Sequence, residues 1–110
     1  MIVGVVGSRG FNDYELMIRE LDKLPITKIV SGGAKGADSL AIYYAILREL
    51  PFKIYPPNWD LHGRSAGYKR NVEIVDNSDE IVAFWDGKSK GTKSTIDIAN
   101  KQCKKVTIIL

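Results

Sequence analysis

The sequence predicts an α/β fold: a doubly wound parallel sheet of five strands in the order 3-2-1-4-5, with helices on both faces. Three observations carry this. Short Val/Ile-rich runs alternate with segments of helical periodicity along the whole chain. Those runs are continuously apolar, as strands covered on both faces require. Glycine-rich turns follow three of them: Gly7-Ser8-Arg9-Gly10, Gly32-Gly33-Ala34-Lys35-Gly36, and the stretch from Asp86 to Thr92. Right-handed crossovers between parallel strands then favour the stated order.

The elements follow in turn. The first strand spans 2–6. A helix over 13–24 comes next, with Tyr14, Met17, Ile18, Leu21 and Leu24 at helical spacing. Asn12 or Asp13 can cap it and Pro25 stops it. Strand 28–31 leads to a helix over 37–50, closed by Pro51. Strand 53–55 precedes Pro56-Pro57 and an irregular stretch to Gly63. Ser65 can cap a helix over 66–77. Strand 80–85, a helix over 92–102 opening at Thr92, and strand 105–110 complete the chain. No repeat or linker interrupts it, so residues 1–110 read as one domain.

Helix 37–50 stands apart. Leu40 to Leu47 leave it almost no polar face, and a helix apolar all round is usually buried on more than one side. In so small a domain a second copy is the expected cover, which makes the protein a homo-oligomer, dimer or larger. Deep burial within the monomer is the alternative.

Hydrophobic residues at 45% and charged residues at 26% are ordinary for a folded soluble chain. The single cysteine, Cys103, excludes an internal disulfide and a Cys-based zinc site. Near a helix end it reads as a packing residue. His62 is the only histidine and reads as incidental. No apolar run approaches the ~20 residues of a membrane span, and no basic leader precedes the first strand. A cytoplasmic protein with no membrane partner is the expectation.

The net charge is +3. The turns after strands (7–13, 31–38, 57–70 and 86–93) hold eight bases: Arg9, Lys35, Arg64, Lys69, Arg70, Lys88, Lys90 and Lys93. Four acids oppose them: Asp13, Asp38, Asp60 and Asp86. If those turns share one sheet edge, that edge attracts anions; polar, solvated loops are the plainer reading.

In the order 3-2-1-4-5 the winding reverses between strands 1 and 4, and ligands of open α/β sheets bind at such a point. The turns there are Gly7-Ser8-Arg9 and 86–92, with 32–38 beside them. The backbone amides around residues 8, 33 and 92 are therefore expected to converge on one anion-sized pocket. Gly32, Gly33, Ala34, Lys35 and Gly36 would cradle a phosphate, or simply make a tight turn that needs positive φ. Ser8 could donate to a phosphate oxygen and Arg9 grip one bidentately. Asp38 could accept from a ribose hydroxyl or a base, or only complement a helix dipole. Thr92 could cap a phosphate or its own helix, and Trp59 could stack on a base or pin a loop. Arg70 and Asn71 lie inside helix 66–77.

These motifs resemble the SLOG superfamily, and more narrowly its YspA-like branch of small Rossmann-like proteins. Gly7-Ser8-Arg9 and Gly32-Gly33-Ala34-Lys35-Gly36-Ala37-Asp38 carry the likeness. It continues through Trp59, Gly63, Ala66-Gly67 and Arg70-Asn71 to Gly91-Thr92. The resemblance implies binding of a nucleotide or a nucleotide-derived small molecule. It places Arg70 where enzymatic relatives carry a site arginine. Relatives of the superfamily include the LONELY GUY phosphoribohydrolases, which cleave N-glycosidic bonds, and the DNA-processing protein A group, which binds single-stranded DNA.

The phosphoribohydrolases carry Pro-Gly-Gly-x-Gly-Thr-x-x-Glu. Here Gly91-Thr92 survives, but the Pro-Gly-Gly is replaced and the glutamate position holds Thr95. A carboxylate beside the anomeric carbon would stabilise the developing charge of such a reaction. Its loss leaves only Asp38 and Asp86, with Arg70, as weak catalytic candidates. The reading is therefore a binding module, a sensor or a sequestering protein. A nucleotide phosphoribohydrolase and a single-stranded nucleic-acid binder are the alternatives. Modest net charge and the lack of interleaved aromatics weigh against nucleic acid as a partner. No metal-ligand constellation is visible and no cofactor is certain. Mg2+ enters only as a companion of a bound phosphate.

Overall fold

The computed structural model describes residues 1–110. Five parallel strands, β1 (Ile2–Gly7), β2 (Lys28–Ser31), β3 (Phe52–Ile54), β4 (Glu80–Phe84) and β5 (Lys105–Ile109), form one sheet in the order β3-β2-β1-β4-β5. β1 pairs with β2 on one side (Val3 opposite Ile29) and with β4 on the other (Val5 opposite Val82). The predicted α/β class and strand order are those of the fold.

Alternation along the strands builds two cores. Val3, Val5, Ile29, Val82 and Phe84 pack against Met17 and Leu21 of α1 (Tyr14–Leu21) and Ala37, Ala41, Tyr44 and Ala45 of α2 (Ala37–Leu47). Val6, Val30, Ile81 and Ala83 face the other way, onto Ile74 and Val75 of α4 (Ala66–Asp76) and Ile96, Ile98 and Ala99 of α5 (Lys90–Lys101). Between β3 and α4 the chain makes a short helix α3 (Trp59–His62) and a 3-10 turn at Gly63–Ser65, where an irregular stretch was expected. The Asn58 side chain accepts the Leu61 amide and so caps α3.

Several boundaries differ from the sequence reading for local reasons. Asp13 caps α1, accepting the Leu16 amide. The helix stops at Leu21 rather than 24. Asp22 turns out to accept the Tyr44 hydroxyl at 2.6 Å and the Arg48 guanidinium at 2.8 Å. α2 ends at Leu47 because Glu49 adopts a φ of +55°. The Leu50 amide then reaches the Ala45 carbonyl, and the Glu49 amide the Ile46 carbonyl, the pair of bonds that closes a helix by a left-handed residue. α5 ends the same way at Cys103, with φ +56°, so Cys103 is exposed rather than packed. Ser65 occupies the N-cap position of α4, but its hydroxyl donates back to the His62 carbonyl instead of accepting a helix amide.

The helix expected to be covered on several sides buries Ala37, Asp38, Ala41, Tyr44 and Ala45. It leaves Tyr43, Ile46 and Leu47 63%, 58% and 56% exposed. No helix is long and apolar enough to cross a membrane.

Candidate functional site

A cavity of about 440 Å3 opens over the carboxyl ends of β1 and β4, where the winding reverses. Its floor is Val6 and Ile74, with Thr95 beside them; its walls come from three loops and α4.

The β1 loop runs over the top of the sheet. The Ser8 amide donates to the Phe84 carbonyl at 3.0 Å, and the Ser8 hydroxyl accepts the Asp86 amide at 3.0 Å. Ser8, nearly buried, thus ties the β1 and β4 loops together. Beyond it the amides of Arg9 and Gly10 donate to nothing within the chain. Both residues line the cavity.

The β2 loop is held by its glycines and by Asp38. Gly36 has a φ of +78°, and a Cβ there would sit 2.4 Å from the Ser8 carbonyl oxygen and 2.5 Å from that of Arg9. Only glycine allows the two loops to cross so closely. Gly32 fills a different need: a Cβ would lie 2.4 Å from Arg70 Nη1 and 2.9 Å from Asp38 Oδ2. Its absence lets Arg70 reach across and donate to the Gly32 carbonyl at 3.2 Å. The Gly33 amide is taken by Ser31 Oγ at 3.3 Å, and the Ala34 amide by Asp38 Oδ2 at 3.2 Å.

Asp86 organises the β4 loop. Its Oδ1 accepts the amides of Lys88 and Ser89, both at 2.8 Å. These bonds, Ser89's first, hold its carboxyl below the usual range. The turn starts α5 two residues earlier than expected, with Ser89 as cap accepting the Thr92 amide at 3.5 Å. The Gly91 amide, in the first turn of α5 and on the cavity wall, donates to nothing within the chain.

Of the amides around residues 8, 33 and 92, those of Ser8, Gly33 and Thr92 themselves are not free. All three are consumed by Phe84, Ser31 and Ser89. The open donors at the cavity belong to their neighbours 9, 10 and 91, and to Asp38 in the first turn of α2.

The cavity brings together Gly7, Ser8, Arg9, Ala34, Asp38, Arg70, Asn71, Gly91 and Thr92 from the sequence-derived set, and Asp86 with them. It does not include Gly32, Gly33, Lys35, Gly36 or Trp59. Trp59 lies outside on α3, 60% exposed, its ring near Gly67. Sequence reasoning passed over Gly10, Ser89 and Thr95. The first two lie within the glycine-rich turns after the first and fourth strands. Thr95 was noted only as a missing glutamate, and its hydroxyl donates to the Gly91 carbonyl at 3.3 Å.

The charges are fewer than the loop count suggested. Of the eight bases assigned to this edge, only Arg9 and Arg70 line the cavity, against Asp38 and Asp86. Burial lifts the Asp38 carboxyl from 3.8 to about 6, despite the Ala34 amide and the Arg70 charge beside it. Arg70 is fixed by Nε donating to Asn71 Oδ1 at 3.0 Å, and Asn71 donates onward to the Gly91 carbonyl at 3.4 Å. One chain of bonds therefore links β2, α4 and α5 around the cavity. It offers two guanidinium groups, four open amides and two helix N-termini to an anion.

Residues 1–62 match the family described as YspA, cpYpsA-related SLOG. The gene 61 protein of Mycobacterium phage D29 is 34% identical over 108 residues, covering 88% of this chain and 86% of that one. Two solved structures share the fold at lower identity. DNA processing protein A of Streptococcus pneumoniae superposes with a TM-score of 0.77 at 20% identity, covering 98% of this chain and 50% of its own. DNA processing protein A of Helicobacter pylori gives 0.65 at 21%, covering 98% and 64%. This chain thus spans half of the first and less than two thirds of the second. The Helicobacter protein is described with a single-stranded DNA binding mode of its own. That finding overturns the weight placed against nucleic acid: the fold serves a nucleic-acid ligand in a structural neighbour, so modest net charge does not argue against one.

Proposed function

This chain belongs to the YspA, cpYpsA-related SLOG family, and we propose from that premise that it binds a nucleotide or nucleotide-derived small molecule without turning it over, as a sensor or sequestering protein. One observation carries the reading. The open amides of Arg9, Gly10 and Gly91 come from two different loops of one cavity that Arg9 and Arg70 also line. Unpaired backbone donors beside guanidinium groups suit a phosphate. Asp38 and Asn71 then stand where they can meet a ribose hydroxyl or a base. Any Mg2+ would arrive on the ligand's phosphate oxygens, because no group of three or more His, Cys, Asp or Glu side chains stands ready to hold it.

Nucleoside monophosphates should raise the melting temperature of the protein. Arg9→Gln changes an exposed side chain and should keep the fold while weakening binding about 10-fold or more, as losing a charge-assisted bond implies. No stabilisation by any nucleotide, or equal affinity in the variant, would overturn the reading. Release of free base, abolished by Asp38→Ala, would turn it into the phosphoribohydrolase alternative.

A second reading rests on the Helicobacter neighbour: single-stranded DNA as the ligand, its phosphate in the same cavity. Affinity for an oligonucleotide would then fall steeply with salt, as counterions are released along several phosphates.

A further inference from the structure

A second concavity, of about 320 Å3, lies on the outer side of α5. It is lined by Tyr68 of α4 and by Lys90, Lys93, Asp97 and Lys101 of α5, with Ile98 as its apolar floor. On α5 these residues recur at three- and four-residue steps, so they form one helical face. Gly91, Thr92 and Thr95 of the same helix line the first cavity. The first turn of α5 is therefore a wall shared by both: Gly91 borders one side and Lys90 the other.

The groove's chemistry is specific. Lys93 is paired with Asp97 at 2.9 Å, whereas Lys90 and Lys101 have no carboxylate within ion-pair distance. Two uncompensated ammonium groups remain. Tyr68 is 56% exposed at the groove, a large aromatic surface with nothing in the chain stacked on it. Lysines that follow a phosphate backbone, next to an exposed aromatic ring, are the parts of a single-strand binding surface.

We propose that this groove is a second nucleotide subsite. A single-stranded oligonucleotide with one phosphate in the first cavity would pass over the α5 N-terminus. Its neighbouring base would stack on Tyr68, and its next phosphates would meet Lys90 and Lys101. This rests on the second reading above, a single strand with one phosphate in the first cavity, and adds where the strand runs next.

The test compares thymidine monophosphate with a series of oligothymidylates on the intact protein, by calorimetry at several salt concentrations. Longer ligands should bind more tightly than the mononucleotide, with a steeper salt dependence. Tyr68→Ala should weaken the oligonucleotide roughly 5- to 150-fold, the range for one stacked base, and leave the mononucleotide within twofold. Lys101→Gln should flatten the oligonucleotide's logarithmic salt slope by about 0.7, one phosphate contact on a single strand. If oligothymidylates bind no more tightly than the mononucleotide, or Tyr68→Ala weakens neither or both equally, the groove is not a subsite and the first cavity's role stands. If thymidine monophosphate and oligothymidylates all fail to bind, the groove proposal falls, and the first-cavity reading falls with it when no other nucleoside monophosphate stabilises the protein.

Discussion

Replacing Asp38 by Asn removes a carboxyl that the fold keeps in an unfavourable place. Asp38 is 7% exposed, and burial moves its carboxyl from 3.8 up to about 6. A carboxyl with a folded value above its unfolded one holds its proton more readily in the native state. Between about pH 4 and 6 the native protein keeps that proton while the unfolded chain has lost it, so stability falls as pH rises through that window. The cost is about half a kcal/mol at pH 4, grows by about 1 kcal/mol per pH unit near pH 5, and levels off at about 3 kcal/mol above pH 7. Asn keeps an oxygen for the Ala34 amide and carries no charge. Asp38→Asn is therefore expected to lie within about half a kcal/mol of the wild type at pH 4 and to be more stable by about 2–3 kcal/mol at pH 7.5. Urea unfolding of both proteins at four pH values measures this, and the difference between the curves cancels every group they share. A difference that is flat with pH, or that grows toward acid, would refute the reasoning. The same carboxyl should act on the ligand. A ribose hydroxyl donating to it favours the ionised form, so nucleotide affinity should fall as pH drops below about 6 in the wild type and not in the variant.

Other perturbations have equally definite signs. Gly36→Ala puts a Cβ 2.4 Å from a backbone oxygen at a φ of +78° and should cost at least about 2 kcal/mol in urea unfolding. Gly67→Ala, inside α4 with its nearest neighbour 3.8 Å away, should stabilise by about 0.5–1 kcal/mol. Tyr43, Ile46 and Leu47 on α2 are exposed, and self-association through that face is open to a direct test. Light scattering should give a mass above the 12.2 kDa of one chain, and Ile46→Lys should return it to that value.

The strands and their order were legible because each apolar run is short, bounded by glycine or proline, and alternates with a helical period. A parallel sheet of this size has few other right-handed windings. Helix ends were less legible. Glu49 and Cys103 adopt the left-handed conformation usually given to glycine, and neither residue type announces it. The start of α5 depends on Asp86 folding its carboxylate back onto two amides, a contact that spacing alone does not reveal. α3 is too short to show a period. At the site, the right loops were legible and the right atoms were not. Glycine clusters mark where the backbone can approach a ligand. Which amides stay open depends on which serines claim their neighbours, and Ser31 and Ser89 claim two of the three that were expected. Gly36 and Gly32 belong to loop crossing and to the reach of Arg70 rather than to the cavity wall. The excess of bases over acids in the turns did not translate into a positive cavity, because none of those lysines lines it.

Backbone amide resonances followed by NMR during titration with a nucleoside monophosphate test the central claim most directly. The amides of Arg9, Gly10 and Gly91, which are unpaired within the chain, should move furthest and saturate together at a single dissociation constant. Shifts confined to other surfaces, or those three amides staying still while nucleotide binds, would contradict the account.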